Sequence, residues 1–290
     1  MNLSSRIHVP GPVLLLNAVL VAFVCGGLPA HGQTPADKPA AASDADLAKQ
    51  LSNPVASLVS VPLQFNWDQQ VGIDDDTRLT MNFQPVIPMG LNEDWNMILR
   101  WIMPYVAQPR LFDGGAPTSG LSDIVASVFF SPAKPGRFIW GVGPVLLLPA
   151  TADPLLGTGK WGAGPTFVIL KQSGGWTYGV LANQIWSFAG DDFTGGAARS
   201  DVNSTFIQPF VAYTTSTAVT YGLNLEASAN WEAVDDDEWT VPLHLTATKL
   251  TKFGPFPMSI GGGIGIFTAA PGGRPDWRVR FVATLLLPIR

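Results

Sequence analysis

One histidine and a nearby hydroxyl are the first residues whose types could perform chemistry. His244 and Thr246 are two positions apart, so on a β-strand they share a face. A histidine base and a hydroxyl support nucleophilic catalysis when a third group orients the base and all three lie within hydrogen-bond reach. No acid, base and nucleophile converge in this sequence, and Thr240 and Thr248 extend the same polar face. We therefore expect His244 to be a solvated interior residue, and we predict no catalytic residue and no enzyme.

Two acidic clusters and one glycine run could suggest ion or nucleotide sites. Residues 74–76 and 235–238 are consecutive acids that could bind divalent cations bridging lipopolysaccharide phosphates. They lack the alternating spacing and the glycine of a calcium-binding EF-hand loop. Residues 261–265 are glycine-rich, but the helix of a dinucleotide fingerprint does not follow. We predict charged, solvated loops, glycines that face a crowded interior or permit a strand bend, no metal and no cofactor.

A larger set of polar residues alternates with apolar residues and is predicted to line an interior. Arginine or lysine facing lipid at mid-depth costs about 2 to 4 kcal/mol, so such charges belong inside a barrel. The predicted pore-lining residues are Arg78, Asn82, Gln84, Arg100, Asn224, Glu226, His244, Arg278 and Arg280. Two compatible interpretations stay open: these side chains pair across the barrel and fill it, or they line a narrow path for solutes.

The segments that carry these residues predict an all-β fold. From residue 55 onward, stretches of about 12 to 15 residues alternate in polarity and are separated by Gly, Pro, Asp and Ser clusters. A membrane strand needs about 9 to 11 residues, whereas soluble strands run near 5 or 6. Twelve candidate strands begin near residues 55, 78, 95, 119, 137, 160, 176, 203, 218, 238, 256 and 276. The pattern indicates a transmembrane antiparallel up-and-down β-barrel of about 12 strands.

Composition supports this interpretation. Charged residues make up 13% of the 290 residues, about half of the ~25% usual in soluble domains. After residue 33 no apolar run approaches the ~20 residues of a membrane helix, and a closed barrel is the other structure that satisfies its backbone in lipid. The net charge of −5, without a basic patch, argues against nucleic acid as a partner.

Aromatic residues and connections follow the barrel habit. Eight of the ten tryptophans lie near predicted strand ends, where interfacial girdles are expected: Trp67, Trp95, Trp161, Trp176, Trp186, Trp231, Trp239 and Trp277. Odd-numbered connections, including residues 68–77, 108–119 and 189–202, are mostly longer and richer in Asp and Gly. Long outer loops and short periplasmic turns are typical of barrels, and an even number of strands leaves both termini in the periplasm.

The first 54 residues are expected to stand apart from the barrel. Residues 1–32 have a secretory signal peptide pattern, with a polar start, an apolar stretch and a cleavage site after Ala30 or Gly32. An uncleaved anchor and a lipoprotein acylated at Cys25, the single cysteine, are the alternatives. Residues 33–54 form a flexible leader with a short helix stopped by Asn53 and Pro54, and residues 55–290 form the barrel. The sequence leaves open whether the leader enters the lumen.

Two segments resemble a known barrel family. Residues 47–66 read LAKQLSNPVASLVSVPLQFN, and residues 84–88 read QPVIP. Both are similar to segments of a family of exported outer-membrane β-barrel proteins described as transporters, or as proteins of the meta-cleavage (MetA) pathway of phenol degradation. The resemblance runs from residue 47 to the end, implies transport and brings no catalytic motif. The chain ends Leu287-Pro288-Ile289-Arg290, whereas barrel proteins usually end on an aromatic residue that the assembly machinery reads.

Together these patterns predict an outer-membrane channel for passive uptake of small molecules, with a hydrophobic or aromatic compound as the narrower hypothesis. The expected partners are outer-membrane lipid and lipopolysaccharide, a small-molecule cargo and the barrel assembly machinery. A non-conducting structural or surface-binding barrel is the alternative. An outer-membrane lipase is a third hypothesis, because the pair His244 and Thr246 is similar to the His and hydroxyl pair of twelve-stranded outer-membrane phospholipases.

Overall fold

Alternating apolar and polar residues build a nearly all-β chain. The computed structural model describes residues 43–151, 153–190, 193–194, 197–233, 237–273 and 275–287; the predicted signal peptide, residues 33–42 of the leader and the last three residues lie outside these ranges. The elements are α1 (Asp44–Gln50), β1 (Val59–Val71), β2 (Asp76–Phe83), β3 (Val86–Gly90), β4 (Trp95–Gln108), β5 (Thr118–Leu121), β6 (Ile124–Pro132), β7 (Ile139–Leu148), β8 (Lys160–Ser173), β9 (Trp176–Gly190), β10 (Phe193–Thr194), β11 (Ala197–Ala198), β12 (Asn203–Thr214), β13 (Val219–Leu225), β14 (Ala227–Asn230), β15 (Trp239–Thr240), β16 (Pro242–Phe253), β17 (Phe256–Phe267), the 3-10 turn η1 (Pro271–Gly273) and β18 (Trp277–Leu287).

The sheet closes into a twelve-stranded antiparallel barrel. Strands β10 and β11 form a separate hairpin, and the other sixteen belong to one sheet. Strand β18 pairs with β1 from Val59↔Leu287 to Gln69↔Trp277, so the barrel has no free edge. Eight crossings are single strands and four are made of two pieces: β2 with β3, β5 with β6, β13 with β14, and β15 with β16. Two of the breaks lie beside Pro85 and Pro242, which have no backbone N–H to donate.

The predicted fold class is confirmed, and the strand positions differ little from expectation. All twelve crossings begin within four residues of the predicted starts. The largest difference is at the first, which begins at Val59 because residues 55–58 belong to the segment inside the lumen. One predicted loop was wrong: β1 continues to Val71 and β2 begins at Asp76. The first outer connection is therefore residues 72–75, and Asp68 lies within a strand.

Large apolar side chains cover the outer face in two aromatic bands. At the end with the short turns, Trp95 contacts Trp140 with ring centroids 5.8 Å apart, and Trp176 contacts Tyr213 at 4.8 Å. At the end with the long loops, Trp231 contacts Trp239 at 5.7 Å. Rings of this kind at both rims are the arrangement that barrels use at the two membrane interfaces. No helix of the described ranges is long and apolar enough to cross a membrane.

One side of the lumen is filled like a protein core. Side chains of β4, β6, β7, β8 and β9 pack there in two buried clusters. We call this surface the apolar wall; its buried members are Ile98, Phe129, Val145, Leu147, Val168, Leu170, Leu181 and Ile185. Bulky apolar residues at consecutive inward positions predict close packing rather than an open channel on this side.

The N-terminal segment, residues 43–58, enters the lumen at the short-turn end, and we call it the plug. Ser43 begins α1 with a capping box to Asp46, which satisfies two backbone donors. Ala48 packs against Leu250 and Leu286, and Val55 is buried within the apolar wall. The Gln172 side chain donates to the Lys49 carbonyl at 3.0 Å. The leader, whose place the sequence left open, therefore occupies the barrel interior from residue 43 onward.

Candidate functional site

The centre of the site is a carboxylate held between two arginines. Asp68 of β1 is fully buried, and β1 pairs with both β2 and β18. Arg78 of β2 donates to Asp68 through Nη2 at 2.9 Å. Arg278 of β18 donates through Nη2 at 3.0 Å and through Nε to the other carboxylate oxygen. Register alone brings the three together, because Asp68 is directly opposite Arg78 on one side and Arg278 on the other.

A second carboxylate extends this network across the barrel. Glu226, between β13 and β14, accepts two hydrogen bonds from Arg280 of β18, at 2.7 and 2.9 Å. This two-pronged pairing is the strong geometry of arginine with a carboxylate. Arg280 also donates through Nε to Asn66 Oδ1 at 2.8 Å. All three of its donor nitrogens are therefore engaged, and its position is fixed.

His244 of β16 lies between these ion pairs. Its Nε2 is 3.5 Å from Arg278 Nη1, its Nδ1 is 3.9 Å from Glu226 Oε2, and the ring is fully buried. Its Nδ1 has no hydrogen-bond partner in the described parts of the chain. The expectation that His244 is solvated is therefore wrong, because its ring is fully buried. The pairing with Thr246 that the lipase alternative requires does not form, because the Thr246 hydroxyl donates to the Gly222 carbonyl instead.

Glycines on β17 make room for the arginines. Gly265 lies directly between His244 and Arg278 in the sheet, and Gly263 lies opposite Arg280. A Cβ at Gly265 would come within 2.6 Å of the His244 ring. The absence of side chains lets Arg278 reach across β17 to His244. The prediction that glycines of residues 261–265 face a crowded interior is confirmed at Gly265.

The structure brings seven residues into one inward-facing patch, which we call the charged wall: Asn66, Asp68, Arg78, Glu226, His244, Arg278 and Arg280. The other predicted positions lie beside it. Asn224 donates to Glu226 at 3.4 Å, and Arg100 of β4 donates to Gln84 at 3.3 Å. Asn82 pairs in register with Gln64 of β1. With four arginines, Arg100 included, against two carboxylates, this side of the lumen carries two excess positive charges.

Sequence reasoning missed Asn66 and Asp68. The signal was present, because Gln64, Asn66 and Asp68 alternate with apolar Phe65 and Trp67. The predicted connection at residues 68–77, rich in Asp and Gly, placed Asp68 outside the strand. Of its two arginine partners, Arg78 lies on the next strand, and only the closing of β18 onto β1 brings in the second, Arg278.

A cavity of about 320 Å³ lies in the lumen between the two walls and the plug. Arg100, Arg280, Gln84 and Asn224 line its polar side, Leu181 and Phe210 its apolar side, and Leu51, Pro54 and Leu58 of the plug its end. Among the residues that the structure describes, two arginines and no carboxylate line it. The cavity therefore combines a cationic side with an apolar side.

At the long-loop end, the loop of residues 153–158 is hydrogen-bonded to the rim of the barrel. Asp153 accepts from the Thr118 hydroxyl at 2.7 Å and from the Leu155 N–H at 2.9 Å. The Thr118 hydrogen bond is the main reason why the pKa of Asp153 lies below its ordinary value. Thr158 donates twice to Asp123, at 2.6 Å each. The loop is tied to β5 and to the residue before β6.

Acidic residues of the two clusters pair separately with other residues of the chain and do not converge on one site. Asp74 pairs with Arg110 at 2.8 Å; this hydrogen-bonded pairing lowers the pKa of Asp74 and raises that of Arg110. Asp237 accepts from the Gly272 N–H at 2.8 Å, while residues 235 and 236 lie outside the described ranges. Within those ranges, no three His, Cys, Asp or Glu side chains are grouped to hold a metal ion.

Comparison with known proteins places the fold among outer-membrane channels and porins. An outer membrane channel from Pseudomonas putida F1 superimposes with a TM-score of 0.63 over 79% of this chain and 96% of that one, at 16% identity. The NanC porin superimposes with a TM-score of 0.50 over 80% of this chain and 100% of that one, at 10% identity. No family model matches the chain, so the resemblance of residues 47–66 and 84–88 to a barrel family stays an expectation, and no curated protein matches its sequence. The similarity therefore concerns the fold.

Proposed function

We propose that this chain is an outer-membrane channel through which small molecules diffuse passively, and that the plug limits the flux. The observation that carries the proposal is a closed barrel with an apolar exterior and a cavity lined by polar residues inside. The fold shared with a channel and a porin supports it. Twelve strands enclose an interior between the filled eight-stranded barrels and the open barrels of 16 to 18 strands.

The orientation, targeting and cargo belong to the same proposal. A cleaved signal peptide at residues 1–32 delivers the chain to the periplasm, with residues 33–54 as the leader and the barrel after them. The short-turn end and the plug then face the periplasm, and the long loops meet lipopolysaccharide. A small cargo with a hydrophobic or aromatic part, the narrower hypothesis, is supported by the apolar side chains of Leu181 and Phe210 in the cavity.

Loosening the plug tests the channel. Val55→Asp places a charge in the buried apolar cluster, which costs several kcal/mol without a partner, and should release the plug. Ser57→Asp adds the same charge at an exposed position and is the matched control. In planar bilayers we expect a higher single-channel conductance for Val55→Asp than for the unmodified protein, and no change for Ser57→Asp.

Liposome swelling with small sugars and a gel shift on heating complete the test, because the shift verifies that each barrel is folded. Current or swelling in the folded Val55→Asp variant supports a channel. If neither that variant nor the unmodified protein passes any solute after verified insertion, the channel proposal is wrong and a non-conducting barrel takes its place. Equal conductance in all three proteins would contradict the role of the plug.

A further inference from the structure

The lumen cavity has a cationic side and an apolar side, an arrangement that a channel does not by itself require. We propose that it is a binding site for a small amphipathic anion, with the anionic head on Arg100 and the apolar body against Leu181 and Phe210. This inference deepens the proposed channel function, on which it rests, by naming the class of solute that the lumen selects.

The argument begins with the charges that face the cavity. Arg100 and Arg280 line it, and no carboxylate of the described part of the chain does. Arg280 is already matched, since its three donor nitrogens bind Glu226 and Asn66. Arg100 donates one hydrogen bond, to the neutral Gln84, and no carboxylate lies within ion-pair distance of it in the described ranges. Arg100 thus faces the cavity without a carboxylate in contact, and Glu226, which acts on its charge from a longer distance, is itself bound to Arg280.

Such a guanidinium beside a half-enclosed cavity favours an anionic guest. A half-buried arginine has lost part of its hydration, and a carboxylate, sulfonate or phosphate head would restore those interactions with charge-assisted hydrogen bonds. Gln84 and Asn224 border the same region and add neutral polar groups. A cationic solute would meet Arg100 without compensation and is disfavoured.

The opposite side of the cavity selects the rest of the ligand. Leu181 is buried in the apolar cluster and Phe210 packs against that cluster. The plug adds Leu51, Pro54 and Leu58 at the end. Apolar surface removed from water contributes about 25 cal/mol per Å², so an apolar body gains here where a simple hydrated ion does not. A volume of about 320 Å³ accommodates a solute of the size of one aromatic ring with its substituent.

Three probes with the same ring and different heads test the charge preference: benzoate, benzyl alcohol and benzylammonium, with acetate as an anion that lacks the ring. In calorimetric titrations of the purified full barrel in detergent, we expect benzoate to bind about tenfold or more tightly than benzyl alcohol, since a hydrogen bond to a charged group is worth that factor. Acetate and benzylammonium should bind more weakly than both.

Arg100→Gln should abolish the preference for benzoate over benzyl alcohol and leave the binding of benzyl alcohol unchanged. Arg110→Gln removes an arginine from an exposed loop pair and should preserve the preference. The gel shift on heating verifies folding in each case, and Arg100→Lys, which keeps the charge, should retain part of the preference. Equal binding of the three ring probes, or full preference in folded Arg100→Gln, would overturn the inference.

Bilayer recordings of the same preparations separate the two proposals. Benzoate binding without any ion current would leave the binding site in place and overturn the channel. Current that is indifferent to benzoate, together with no charge preference in the titrations, would leave the channel and overturn the binding site.

Discussion

The two walls of the lumen fill the same barrel by different physics. The apolar wall contains side chains such as Phe129 and Leu181 that are almost completely buried and held by packing. The charged wall contains Asp68, also fully buried, held by arginines from two neighbouring strands. An apolar core tolerates exchange between apolar side chains of similar volume and fills the space between strands. An ion-pair network requires each charged partner in place and leaves polar groups that solutes can contact. The cavity lies where the two walls meet.

The largest expected effect comes from breaking the charged wall. Asp68→Ala leaves Arg78 and Arg278 without their carboxylate, and removing one partner from a buried pair costs about 3 to 5 kcal/mol. Asp74→Ala makes the same change in an exposed loop pair, where water screens the charges and the expected loss of stability is much smaller. Urea unfolding of the two variants in lipid vesicles measures the difference. Equal losses would show that the network does not stabilise the barrel.

A somewhat smaller effect is expected in the apolar wall. Phe129→Ala creates a cavity at a fully buried position and should reduce the free energy of unfolding by about 3 kcal/mol. Phe130→Ala, one residue further along β6, changes a side chain that is 37% exposed on the outer face. We expect a clearly smaller loss there in the same unfolding experiment. A larger loss for Phe130 would mean that the outer face, and not the apolar wall, is the packed side.

The smallest effect concerns the loop at the long-loop end. The pKa of Asp153 is lowered, mainly by the Thr118 hydroxyl, so this contact stabilises the loop above the ordinary carboxyl range and is lost as the pH falls through the lowered pKa. Thr118→Val removes this hydrogen bond, so the pKa of Asp153 should rise and the loop should loosen at a higher pH than in the unmodified protein. Bilayer conductance fluctuations recorded while the pH is lowered monitor the loop, with Ser119→Ala as a neighbouring control. Identical pH profiles for the two variants would contradict the assignment.

The strands could be predicted, but the site only in part. Alternation in β13 and β16 placed Asn224, Glu226 and His244 inward, because side chains of a strand point to opposite faces in turn. The same rule could have placed Asp68, which the predicted connection at residues 68–77 kept out of the strand. Pairing between Arg280 and Glu226, 54 residues apart, could not be read from the sequence, since β16 and the glycine-rich β17 lie between their strands and the contact depends on register.

The sequence by itself determined the barrel. Twelve stretches with a two-residue period, bounded by turn-forming residues, can satisfy their backbone hydrogen bonds in lipid only as a closed β-barrel. Tertiary structure decided what fills it. Whether residues 43–58 lie inside, which carboxylate meets which arginine, and that Arg100 is left facing a cavity all depend on closure of β18 onto β1 and on packing between distant segments. Local periodicity fixes the face of a residue, while its partners are set by contacts between strands far apart in the chain.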